Sequence, residues 1–149
     1  MEKYIGTKLI EAEPAYRIDG RIYVKSQPVP RSLNSEDGYK VVYQDGYVSW
    51  SPKEVFEEAY RRADNLSFGL AIEAAKKGKK IQRAGWNGKN QYVELATRIG
   101  YIRADGCLVN VEHADIGNKA LAFVGTSGVQ LGWLASQADM LADDWRIVE

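Results

Sequence analysis

Only one cysteine, Cys107, and one histidine, His113, occur in the 149 residues. No intrachain disulfide can form, which fits a reducing cytosol. One histidine and one cysteine also cannot build a zinc site, although carboxylate sites stay open. An excess of charge is missing too, because 20 basic and 20 acidic residues cancel. Broad charge-driven binding to nucleic acid needs a net basic face and is disfavoured. No apolar run approaches the length that spans a bilayer, and residues 1–6 carry no signal-peptide core. Repeats, heptads and low-complexity tracts are absent. Nothing matches a P-loop or a dinucleotide fingerprint. What is present is enough apolar material to fold: 45% of the residues are hydrophobic. That suits one domain, or one domain plus a small module.

Residues 67–88 organise the rest. Ser67 is placed to cap a helix, with Leu66 and Ala71 as a staple. Phe68, Ala71, Ile72 and Ala75 recur at helical spacing and form one apolar stripe. Lys76 and Lys77 suit the negative helix end, and Gly78 is the expected left-handed stop. Residues 79–86 alternate as a strand. Asn87-Gly88 then signals a tight hairpin, since a type I′ turn needs positive φ at both central positions. With Ile81 inward, Arg83 points to the same face. Arg83 reads either as a sheet-edge residue whose head reaches water or as part of a site wall. Trp86 reads either as core filler or as a ligand platform.

Before this stretch, residues 4–10 read as a strand that Pro14 breaks. Asp19-Gly20 marks a hairpin between residues 16–18 and 21–24. Residues 27–38 have loop composition. Residues 39–43 and 47–50 read as strands around Gln44-Asp45-Gly46. Ser51, Pro52 and Glu54 match an N-cap, first helical position and capping box. The helix they open is expected to run to about Arg62, with Val55, Phe56, Ala59 and Tyr60 on its buried face. Residues 1–63 thus read as a small α+β module, and Ala63-Asp64-Asn65 as the junction to a second domain, 64–149. In that domain residues 91–95 return as the partner strand. Asp105-Gly106 centres a second hairpin, and residues 112–119 read as loop. Gly125-Thr126-Ser127-Gly128 centres a third hairpin. Ser136 opens a short helical turn with Asp139 three residues on, and residues 145–148 form a last strand. The fold class is α+β: a small antiparallel sheet with one main helix, preceded by a small α+β module.

Chemistry-bearing residues are few. His113 has no signalled triad partner. Cys107 reads as a small core residue. Asp139, Asp143 and Asp144 read as caps and turn formers, with acid–base work on a nucleotide as the other reading. The basic run Lys76-Lys77-Gly78-Lys79-Lys80 reads as a solvated helix end. Set beside Arg83, Trp86 and Lys89, it also fits an anionic, aromatic ligand: cationic groups answer phosphates, and an indole stacks on a base. That suits a nucleotide better than a sugar or a peptide. The residues alone leave a nucleic-acid binder and a nucleotide hydrolase as the other readings.

Two blocks then carry a resemblance. The first is Phe68-Gly69-Leu70-Ala71-Ile72-Glu73-Ala74, then Gly78-Lys79-Lys80, then Arg83-Ala84-Gly85-Trp86-Asn87-Gly88-Lys89. The second is Trp133-Leu134-Ala135-Ser136-Gln137-Ala138-Asp139-Met140-Leu141-Ala142-Asp143-Asp144-Trp145. Together they resemble the Thoeris anti-defence protein 2 family of phages and prophages, over most of residues 66–149. The resemblance implies a non-enzymatic sponge without a cofactor. Such a protein binds a cyclic ADP-ribose signal made by a bacterial TIR-domain enzyme, holds it uncleaved, and so keeps the effector inactive in the cytoplasm of the infected host. Some relatives also bind cyclic dinucleotides at a separate site. Homotetramers with ligand sites between subunits are implied. The ligand-binding set carried over is Phe68, Arg83, Trp86, Asn87, Lys89, Trp133, Ser136, Gln137 and Asp139. Leu131-Gly132 departs from the family's usual apolar residue and proline. Asn90-Gln91-Tyr92 departs from its more hydrophobic strand start, and the Asp105-Gly106 hairpin reads as an insertion. Residues 1–63 resemble a small phage module often found beside this domain, on Gly38-Tyr39-Lys40-Val41-Val42-Tyr43 and Ser49-Trp50-Ser51-Pro52-Lys53-Glu54-Val55-Phe56.

Overall fold

The computed structural model describes residues 1–28, 30, 32, 34–86, 90–98, 100–108 and 119–149. The chain is α+β and resolves into two compact units, Met1–Arg61 and Arg62–Glu149.

The first unit holds strands β1 (Glu11–Ile18), β2 (Arg21–Val24), β3 (Glu36–Val42) and β4 (Val48–Pro52), then helix α1 (Lys53–Ala59). Its sheet runs β2-β1-β3-β4, antiparallel throughout. Asp19 and Gly20 have φ of +48° and +80°, the hairpin geometry their sequence demands. Residues 4–10 are not a strand, and Pro14 does not end one: it lies inside β1. The reason is where its missing donor points. In a strand a residue's N–H and C=O face the same neighbour. The Pro14 C=O accepts from Lys25 N–H, just past the end of β2, so the absent N–H also faces that end and breaks no ladder bond.

Ser51 does not cap α1. It is drawn into β4 opposite Tyr39, and Pro52 takes the cap position with no side-chain bond. Ladder pairing has overridden the local capping signal. The helix stops at Ala59, short of Arg62. Its buried face is narrower than expected, for Val55 is 58% exposed and Ala59 is exposed. Phe56 makes the contact, with ring centroids 4.1 Å from Tyr39 and 5.0 Å from Tyr60.

The second unit holds α2 (Phe68–Lys76), β5 (Lys80–Arg83), β6 (Tyr92–Ala96), β7 (Ala120–Gly125), β8 (Gly128–Leu131), α3 (Gln137–Met140) and β9 (Trp145–Val148). Its five strands run β8-β7-β6-β5-β9, all antiparallel. The Ser67 hydroxyl accepts from Leu70 N–H, and Leu66 and Ala71 are both buried. At the other end Gly78 has φ +82°. Its N–H donates to Ala75 C=O, and Lys79 N–H to Ala74 C=O, the paired bonds of a Schellman stop. Ala71, Ala74, Ala75, Ile81, Val93 and Trp145 form the core with Leu66.

Three expectations change here. Strand β5 ends at Arg83 rather than Trp86, because residues 84 and 85 turn away; the Asn87-Gly88 signal lies outside the described residues. Strand β5 is also interior to the sheet, so Arg83 is not an edge residue. Cys107 is exposed, not core. The Asp105-Gly106 turn is present: Ile102 bridges Leu108, Arg103 N–H donates to the Cys107 C=O at 2.9 Å, and Cys107 N–H donates to Asp105 Oδ1 at 2.9 Å. The expected loop at 112–119, His113 included, lies outside the described residues except for Lys119. The third hairpin is tighter than its four-residue signal, with Gly125 paired to Gly128 across two residues.

The outer edge of β9 is closed by the segment that leads into α2. Leu66 and Trp145 exchange backbone bonds at 2.7 and 3.1 Å, and Ile147 N–H donates to Ala63 C=O at 2.8 Å. The turn-forming junction therefore bridges to the sheet edge at Leu66 while residues 63–65 remain turn and bend. A chain starting at Ser67 loses all of these bonds and the burial of Leu66. Each bond contributes about 1 kcal/mol net, and Leu66 about 2 kcal/mol. In thermal melts it is expected to unfold well below a chain starting at Arg62; equal melts would show that the segment adds nothing.

Candidate functional site

Strand β5 places Arg83 on the face that also carries Ile81, opposite Trp145 in β9. From there the guanidinium reaches two carboxylates. Nε donates to Asp144 Oδ1 at 2.9 Å, and Nη1 to Asp139 Oδ1 at 3.1 Å. Asp139 sits where it does because Ser136 and Asp139 form a reciprocal capping box at the start of α3. The Ser136 backbone N–H and hydroxyl both donate to Asp139 Oδ2, and Asp139 N–H returns a bond to the hydroxyl oxygen. The Trp145 indole N–H donates to Asp139 C=O at 2.8 Å, tying the same turn to the core.

Beside this polar network lies an aromatic cluster. Trp86 meets Trp145, Phe123 and Trp133 edge-on, with centroids 5.3, 5.6 and 6.0 Å apart. Trp133 also meets Trp145 at 6.2 Å, and Phe68 tilts against Trp145 at 5.4 Å. Such T-shaped pairs place a positive ring edge on a negative face. Trp145 is fully buried, while Phe68, Trp86 and Trp133 are half-buried and pack around it.

Burial acts to raise the Asp139 carboxyl, but bonds from Ser136, Arg83 and Trp86 outweigh it, and the group is held below its ordinary value of 3.8. The bond from Arg83, aided by Gly85 N–H and opposed by burial, likewise holds Asp144 below 3.8. Arg83 is raised in turn, by Asp144 first and Asp139 second. Both acids are therefore anions at neutral pH, with a guanidinium between them.

Of the expected set, Arg83, Ser136 and Asp139 meet in one network, and Phe68, Trp86 and Trp133 meet in the adjoining cluster. Gln137 opens α3 and is exposed. Asn87 and Lys89 lie outside the described residues. The basic run does not join them. Lys76 pairs with Glu73, and Lys80 faces the opposite side of the sheet from Ile81 and Arg83, with its ammonium 4.8 Å from the Tyr92 ring. Sequence reasoning missed Phe123 and left Asp144 out of the ligand-binding set, weighing it as a turn former or an acid–base residue. Phe123 carried only a strand pattern. Asp144 had a turn former's signal and gave no sign of its distant guanidinium.

These features define the class: a small antiparallel sheet with one main helix, carrying a half-buried aromatic cluster fixed by an arginine–carboxylate network. Residues 66–148 match the Thoeris anti-defense 2-like domain. The protein called Thoeris anti-defense 2 from Bacillus phage SP01 is 36% identical over 90 residues, covering 56% of this chain and 94% of that relative. The chain belongs to the Thoeris anti-defense 2-like family, as the two sequence blocks implied.

The depressed carboxylates give a signed pH dependence. A carboxylate whose folded value lies below its unfolded value stabilises fully above the unfolded value, and the gain is lost as pH falls through the folded one. Melts of the intact chain should therefore steepen downward below about pH 4. Asp139→Asn is expected to cost about 1–3 kcal/mol at pH 7 and to flatten that acid limb. Asp144, 37% exposed against 14% for Asp139, should cost less because solvent screens it. Acid limbs of equal slope in wild type and Asp139→Asn would contradict this.

Proposed function

We propose that the chain is a phage anti-defence protein that binds a cyclic ADP-ribose-type immune signal and holds it uncleaved, so that the Thoeris effector stays inactive in the cytoplasm of the infected host. The observation that carries the reading is the family match over residues 66–148, the unit that bears the aromatic cluster and its polar network. Half-buried indoles beside polar groups suit a ligand with a base and a diphosphate. Stacking on such rings contributes about 1–3 kcal/mol per base. Cyclic dinucleotides are the second ligand class, and a homotetramer is the proposed assembly.

The carboxylates speak against hydrolysis. A general acid working at neutral pH needs a raised value, whereas Asp139 and Asp144 are lowered and committed to Arg83. The nucleic-acid reading is weakened because the basic run is divided between the end of α2 and the far sheet face.

Isothermal titration of the intact chain against cyclic ADP-ribose isomers and cyclic dinucleotides tests the proposal. At least one cyclic ADP-ribose isomer is expected to bind. Silence across that panel would overturn the reading. Trp86→Ala should lower the affinity by about 1–3 kcal/mol while the variant stays folded. Unchanged affinity in folded Trp86→Ala would remove Trp86 from the site. Light scattering should report a tetramer, and a monomer at micromolar concentration would remove the shared-site assembly.

A further inference from the structure

Each of the three residues that precede Trp86 is bonded to one residue, Asp144. Arg83 Nε donates to Asp144 Oδ1 at 2.9 Å. Ala84 N–H donates to the Asp144 C=O at 3.0 Å. Gly85 N–H donates to Asp144 Oδ2 at 3.1 Å. Trp86 N–H then turns back to the Arg83 C=O at 3.3 Å. The whole approach to the indole, from the end of β5 through the turn, is thus laid against a carboxylate and its own backbone carbonyl. Gly85 is part of the fit: a Cβ there would stand 3.2 Å from Asp144 Oδ2 and press on it.

We infer that Asp144 is the positioning residue for Trp86, and that Arg83 serves in the same strut rather than as a contact for the ligand's phosphates. This rests on the ligand-binding reading above. The inference follows from how the donors are used. A guanidinium that answers two carboxylates has Nε and Nη1 already engaged and its charge neutralised. Turning it toward a diphosphate would spread one positive charge over three anionic groups and bring the phosphates up against the partly buried Asp139 and Asp144 carboxylates. A carboxylate that accepts from both a side chain and the adjacent main chain, by contrast, fixes the turn's direction. Trp86 lies beyond the end of β5 at Arg83, and among the described residues its N–H bonds back to the Arg83 C=O. Asp144 in turn is held in place by its neighbour, because Trp145 is buried in the core and pairs with Arg83 across β5 and β9.

The test uses the full chain labelled at its tryptophans. There are four indoles, and Trp86→Phe identifies the Trp86 resonance. Asp144→Ala removes both side-chain bonds. Asp144→Asn keeps an acceptor for Gly85 but loses the charge. Asp143→Ala, an exposed neighbour, removes the same charge without touching the turn. Spectra and titrations are taken well below the wild-type melt, on variants whose fold is checked first. Asp144→Ala is expected to displace the Trp86 indole resonance while Trp50 stays in place. Affinity for the cyclic ADP-ribose isomer that wild type binds should fall on the order of tenfold, the effect of about 1.4 kcal/mol of misplaced stacking. Asp144→Asn should fall between, and Asp143→Ala should change neither readout. An undisplaced Trp86 resonance in Asp144→Ala overturns the inference; if that variant does not fold, Asp144→Asn is read in its place. Unchanged affinity with a displaced indole also overturns it. Tighter binding on freeing Arg83 overturns it as well, because that is what a phosphate contact released from a competitor would give. If wild type binds no isomer, the proposed function fails by itself, and the indole resonance still decides whether Asp144 places Trp86.

Discussion

One guanidinium, that of Arg83, joins segments that are 56 and 61 residues apart in the chain. Its two carboxylates come from different local structures: Asp139 from the first turn of α3, and Asp144 from the lead into β9. Around this junction the helix cap, the end of β5, the turn at residues 84–86 and the start of β9 are fixed relative to one another. The arrangement is partly dry, so the ionic bonds are stronger than exposed surface pairs. It is not alone in holding the region. Trp145, under the same turn, carries the apolar share and donates its indole N–H to Asp139 C=O. Polar and apolar contributions therefore meet on adjacent residues, Asp144 and Trp145. A change at either would disturb the other.

Much of the fold was legible where its signals are local. Helix α2 is announced by a serine cap, an apolar stripe and a stopping glycine, all within twelve residues. The Ser136–Asp139 box is a four-residue pattern. Asp19-Gly20 and Asp105-Gly106 need only the φ preferences of their own residues. Failures came where a distant partner decided. Pro14 is tolerated in β1 because β2 ends beside it. Ser51 is a good cap by composition, but Tyr39 in β3 draws it into a ladder. Arg83 looked like a sheet-edge residue until β9 covered that side of β5. No residue near Arg83 hints at Asp139 or Asp144, and their own neighbours explain them fully as cap and turn. The family blocks did reveal that both stretches matter, yet not that one arginine binds them together.

The aromatic cluster explains why a core reading and a ligand reading of Trp86 were hard to separate. Trp86 packs on Trp145, Phe123 and Trp133, so it contributes to the core, and it is only half-buried, so part of the ring is left for another partner. A ligand platform gains from this. A ring already immobilised by neighbours loses little freedom when a base stacks on it. The Asp139 and Asp144 carboxylates beside the cluster are both engaged by Arg83.

Sequestration and turnover differ in what comes back out. The most direct measurement is to incubate the chain with cyclic ADP-ribose isomers, remove free ligand, unfold any complex by heat, and weigh the released molecule by mass spectrometry. Recovery of the ligand with its original mass and in stoichiometric amount is the result this account predicts. A released species of altered mass, whether opened by water or otherwise converted, would contradict it.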